Sequence, residues 1–280
     1  MSVTEAKTDK ASRGTPGMSM TLTDHLYELR SRLFKSVLAF LVGATVGWIY
    51  YDPIFRFLSA PVDQVVQQAR MNGQDVQLTI TDITGAFTLQ LQVAAIVGLI
   101  LASPVWIYQL WRFITPGLHK NERKYAIGFA AVAVPLFLFG VVMAYVVLPG
   151  ALGILFSFTP QNVANMQPVD AYLAFFSRMV IVFGVSFLTP LIIVALNMFG
   201  ILTGKKLLSW WRFIIFGVFV FAAVATPTAD PFNLCLLAAP ILILVGAALV
   251  FCFINDKRRA RKAPVDDDYS KWADDETSPL

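Results

Sequence analysis

The chain has 280 residues, 57% of them apolar and only 14% charged, with a formal net charge of +4. This apolar excess is more than a soluble domain needs, and it predicts several membrane spans. With 2 histidines, 2 cysteines and no G-x-x-x-x-G-K-[ST] loop, the inventory argues against metal-dependent and nucleotide-driven chemistry.

Residues 1–20 contain Lys7, Lys10 and Arg13 but no apolar core of a cleavable signal. They are expected to persist as a disordered cytoplasmic tail. Thr21 and Asp24 fit a capping box for the charged segment Thr21–Leu33, which is expected to lie as a helix on the membrane surface. Leu22, Leu26, Leu29 and Leu33 share an apolar face, and His25, Glu28 and Arg32 share another. Glu28 has two readings: an i,i+4 partner for Arg32, or a carboxylate presented to a cationic ligand.

Six apolar stretches follow, at about 34–51, 86–110, 125–147, 172–199, 209–226 and 233–254. Each is predicted to be a helix, because only closed hydrogen bonding crosses a hydrocarbon core economically. All but the fifth supply the ~20 residues that a core of about 30 Å requires. Lys and Arg concentrate in the N-terminal segment, the second and fourth loops (Arg112, Lys120, Arg123, Lys124; Lys205, Lys206, Arg212) and the C-terminal tail. The other three loops contain only Arg56 and Arg70. Both termini are therefore expected in the cytoplasm, and the positive charge is a topology signal, not a nucleic-acid one. The predicted domains are the tail 1–20, a membrane domain 21–255 and a charged tail 256–280, basic and then acidic and disordered.

The first exterior segment, 52–85, contains Ser59-Ala-Pro61 and is expected to hold short interfacial helices. The second, 149–170, is expected to be an ordered cap or a membrane-dipping loop. Pro104, Pro135, Pro190 and Pro240 fall inside apolar runs and should bend them. The strictly apolar part of the fifth run, Phe213–Ala225, spans only ~20 Å as a helix. Trp210, Trp211 and Arg212 can lengthen it at the interface, and Asp230 should close a short hairpin with the sixth run, thinning the bilayer beside it. Cys235 and Cys252 are too far apart along one helix to bridge.

No nucleophile–base pair is evident, so the chain is not expected to be an enzyme, and no cofactor or metal is implied. A secondary transporter or channel for a small solute is the alternative. It would need a charge inside the membrane, for which Arg178 is the candidate. Glu122 is the only carboxylate of the second cytoplasmic loop and, with Glu28, stands among cations. A receptor for guanidinium groups needs such carboxylates, although the start of a helix also favours an anion there.

His25-Leu-Tyr-Glu28-Leu-Arg30-Ser-Arg32, Ser59-Ala-Pro61, Ser103-Pro104-Val-Trp-Ile-Tyr-Gln-Leu-Trp-Arg-Phe113-Ile-Thr-Pro116-Gly117, Asn121-Glu122-Arg123 and Thr226-Pro227 with Asp230 occur in order along the chain. In these motifs the sequence resembles TatC, the six-helix subunit of the twin-arginine protein translocase. The resemblance implies an all-α integral membrane protein of the cell membrane, with six transmembrane helices in a curved, glove-like bundle. It implies a receptor for the twin-arginine signal peptides of folded proteins, in which Glu28 and Glu122 engage the motif. His25, Arg30, Arg32, Phe113 and Arg123 support that site, and Pro61, Pro104, Pro190 and Asp230 are structural or partner contacts. The implied partners are single-span TatA and TatB type subunits, further copies of the chain and membrane lipids, with transport driven by the proton-motive force. Two positions depart from the family pattern: Leu188-Thr189, where many members have a glutamate before the proline, and the neighbourhood of Gly246, where many have a polar residue.

Overall fold

The computed structural model describes residues 22–71, 76–80, 82–114, 122–158, 165–225 and 231–262. Nine helices and two short strands make up these residues: α1 (Leu22–Ile49), α2 (Tyr51–Met71), β1 (Val76–Thr79), α3 (Gly85–Leu101), α4 (Ser103–Ile114), α5 (Glu122–Ser157), β2 (Asn165–Pro168), α6 (Val169–Met198), α7 (Gly204–Ser209), α8 (Trp211–Ala225) and α9 (Pro231–Lys262). Four helices are long and apolar enough to span a membrane, within α1, α5, α6 and α9. The α3–α4 pair, bent by 55°, qualifies as a fifth span, and α8 is a shorter apolar helix.

The helices pack as a row. α1 lies on α3 and α4, α3 on α6, and α6 between α5 and α9, with α8 packed on α9 and touching α6. The close approaches in this row need small residues, since lipid-soluble helices gain contact mainly by letting their backbones meet. A Cβ on Gly98 would lie 2.9 Å from the Phe40 carbonyl oxygen, so α1 and α3 touch there with no room for a side chain. Likewise a Cβ on Gly140 would come within 2.7 Å of the Phe183 oxygen, locking α5 to α6. Phe137, Phe176, Phe183 and Phe187 are fully buried between these two helices and their neighbours.

Several expectations change. The charged N-terminal segment is not a separate surface helix but the first turns of α1, continuous with the span. Its leucine face is turned outward, with Leu26, Leu29 and Leu33 exposed, while Arg32 is buried. The second apolar run breaks at Ala102, because Pro104 has no N–H to continue α3 and its ring crowds the preceding turn. The first exterior segment contains one helix of 21 residues, α2, in place of several short ones. α5 continues through Pro149 to Ser157, so the second exterior segment opens as helix. The two exterior segments then join through a parallel pair of strands, Val76 opposite Asn165 and Thr79 opposite Pro168.

Pro61 explains how α2 is held. A proline cannot donate to the carbonyl four residues before it, here that of Phe57. The Tyr145 hydroxyl donates to that oxygen at 3.0 Å, and the buried Tyr172 hydroxyl donates to the adjacent Leu58 oxygen at 2.5 Å. The Tyr145 hydroxyl thus takes the place of the missing donor, and the two tyrosines, from α5 and α6, together anchor α2 to the bundle.

Candidate functional site

The motif 103–113 builds one side of the site. Ser103-Pro104 starts α4, where a proline's missing N–H costs nothing. The Trp106 indole N–H donates to the Leu99 carbonyl at 3.1 Å, satisfying one of the free carbonyls that end α3 and holding the bend. Ile107 and Trp111 point into the core, with Trp111 stacked on Phe129 of α5 at 4.8 Å between ring centroids. α4 is thereby laid across the start of α1, with the Gln109 carbonyl facing it.

Arg32 meets that carbonyl. Its Nη1 approaches the Gln109 oxygen at 3.5 Å, and its Nη2 donates to Glu28 Oε1. The Arg32 side chain retains 9% of its exposure and that of Glu28 25%, so the pair is partly withdrawn from water. The other carboxylate oxygen, Glu28 Oε2, is covered and has no hydrogen-bond partner among the described residues. A carboxylate has acceptor capacity at both oxygens, and burial makes an unused oxygen costly. One oxygen of Glu28 is therefore committed within the chain, and the other is a covered acceptor without a partner among the described residues.

The other expected residues are placed as follows. Arg30 is exposed and Phe113 half-buried at the end of α4. His25 begins α1 and Glu122 and Arg123 begin α5, but their side chains lie outside the described residues, as do Thr115–Asn121 and Asp230. α5 packs on α4 and α4 on α1, so Glu28 and Glu122 belong to adjoining elements at one end of the bundle. Pro190 lies in the floor of an apolar groove of about 480 Å³ between α5, α6 and α9. Leu188 is buried and Gly246 faces open space, so the two departures from the family pattern put an apolar side chain and none at all at those points. Arg178 is exposed and forms no salt bridge among the described residues, and none of these residues cluster as metal ligands.

One polar cluster escapes the sequence reading. Asn197, fully buried at the end of α6, donates to the Leu202 carbonyl and to Asp256 Oδ1, both at 2.8 Å, and accepts from Asn255 at 2.9 Å. Asp256 Oδ2 accepts from the Gly204 N–H at 2.6 Å, and Arg259 reaches the Asn197 carbonyl at 3.4 Å. The turn that allows this needs Gly200, whose φ is +80°. The signal available in the sequence was an amide at the end of one apolar run and a carboxylate at the end of another.

The family profile described as Sec-independent protein translocase protein (TatC) matches residues 24–240. The chain belongs to the TatC family. It is 40% identical to the Sec-independent protein translocase protein TatC of Frankia casuarinae over 276 residues, 97% of this chain and 76% of the relative. It is 39% identical to that of Xylanimonas cellulosilytica over 256 residues, 90% of this chain and 92% of the relative. Among solved structures it is similar to a crystal structure of the twin-arginine translocase receptor TatC in DDM, with a TM-score of 0.68 and 32% identity over 81% of this chain and 99% of that one. As a TatC protein the chain is a multi-pass cell-membrane subunit of a protein translocase, and its relatives are named for transport.

Proposed function

We propose that this TatC protein is the receptor and core subunit of the twin-arginine translocase. It binds twin-arginine signal peptides of folded proteins at the end of the bundle where Glu28 and Glu122 lie. In this reading that end is cytoplasmic, the chain crosses the membrane six times, and single-span TatA and TatB type subunits join it for export driven by the proton-motive force. The observation that carries the reading is the free oxygen of Glu28, covered, unpaired among the described residues and set beside a guanidinium that its own chain supplies. A signal arginine can use the same chemistry, a charge-assisted hydrogen bond in a partly desolvated place. Family membership and the solved relative named as a receptor support it.

A hydrogen bond to a charged group contributes about 1.5–3 kcal/mol, and about 1.4 kcal/mol is tenfold in affinity. Glu122→Ala is therefore expected to weaken binding of a twin-arginine peptide to the purified protein by an order of magnitude or more, and Glu28→Ala comparably. A twin-lysine peptide should bind less well, because an ammonium lacks the planar fork. A Glu28→Ala, Glu122→Ala double variant that binds both peptides as the parent does would remove these residues from the site.

A further inference from the structure

Where α9 finishes beside α7, the two helices and the turn before α7 line an open cavity of about 670 Å³. Its lining combines three cations, Lys205, Lys257 and Arg259, with the apolar side chains of Leu202, Phe253 and Ile254. The one carboxylate in the lining, Asp256, already accepts from Asn197 and from the Gly204 N–H, so it is held in the wall as a brace. Three cations against one hydrogen-bonded carboxylate leave the cavity positive. The cluster around Asn197 holds α7 and α9 together, so the cavity is formed before any ligand arrives.

Its depth in the bilayer follows from the neighbouring residues. Trp210 and Trp211 at the start of α8 are exposed, with the Lys206 ammonium 5.8 Å from the first ring centroid and the Arg212 guanidinium 5.6 Å from the second. Exposed tryptophans beside cations at the end of an apolar helix mark the headgroup layer. A basic pocket between membrane helices at that level, with an apolar wall on one side, fits an amphiphilic anion. We propose that this cavity is a binding site for an anionic phospholipid, its phosphate held by Lys205, Lys257 and Arg259 and the start of its acyl chains lying on Phe253 and Ile254. The site would fasten the short helix α8 to the leaflet at the basic end.

The test is native mass spectrometry of the purified full chain after exchange into mixed micelles of phosphatidylglycerol and phosphatidylcholine with matched acyl chains. The parent is expected to retain phosphatidylglycerol preferentially. Each cation near an anionic lipid is worth roughly fivefold in binding, so Lys205→Gln with Lys257→Gln should reduce the preference about thirtyfold. Both lysines are exposed, and an unchanged melting temperature will show that the fold is intact. Arg258→Gln with Arg261→Gln, on the same helix but outside the cavity, should leave most of the preference in place. Equal retention of the two lipids by the parent would overturn the proposal. So would an equal loss in both double variants, which would mean diffuse attraction to the basic tail, or displacement of the lipid by inorganic phosphate at constant ionic strength.

Discussion

At the scale of single residues, the informative feature is that Glu28 has two oxygens in different situations. Pairing within α1 and presentation to a cation were alternatives for the sequence; the pair with Arg32 forms, and the second oxygen, covered and without a partner among the described residues, is the one the proposed binding would use. Glu28→Gln separates the roles: the amide oxygen can still accept from Arg32, so the protein should stay folded. Binding of a twin-arginine peptide should nevertheless fall roughly tenfold, because the carboxylate charge is gone. A Glu28→Gln protein that is equally stable and binds equally well would make the charge of Glu28 dispensable for binding. The tyrosine anchors are testable in the same way. Tyr172→Phe removes the buried hydrogen bond to the Leu58 carbonyl and is expected to cost about 0.5–1.5 kcal/mol in reversible unfolding in detergent, whereas an unchanged midpoint would make that hydrogen bond dispensable. Nothing in the sequence pointed to Tyr172 or Tyr145, since their partners are 114 and 88 residues away, and the carbonyl that Pro61 frees is met by Tyr145 only in the folded chain.

At the scale of elements, the spans were legible because a long apolar run has only one economical structure in lipid, and the Pro104 bend was legible because proline's missing donor acts locally. The strands were not: four residues such as Val76–Thr79 carry too little alternation to be recognised, and their pairing depends on a segment beyond α5. The outward turn of Leu26, Leu29 and Leu33 was also hidden, because in a membrane an apolar face gains nothing by being inside, and the buried position went to the arginine that α4 could satisfy. α8, with 15 residues or about 22 Å, confirms the short fifth run. Inserting four leucines after Val218 is expected to relieve the mismatch with a core of about 30 Å and to impair export more than peptide binding. Transport assays with unchanged export in that variant would show that the short length has no role.

At the scale of the whole molecule, the row of helices places the start of α1, the end of α4, the start of α5 and the ends of α6 and α9 together, and most of the Lys and Arg residues lie there. In the proposed reading that end faces the cytoplasm, as the positive-inside rule predicts. Single cysteines at Ser12, His119 and Ser270 should therefore be labelled from the cytoplasm and those at Gly73 and Gln161 from outside. Labelling of positions 119 and 161 from the same side would contradict six crossings. The most direct test of the account is photo-crosslinking of a twin-arginine signal peptide to probes placed at positions 28 and 122 in membranes containing the full chain. Crosslinks are expected from both positions, abolished by an excess of unlabelled twin-arginine peptide and not by a twin-lysine peptide, while crosslinks from neither position would contradict the receptor role of Glu28 and Glu122.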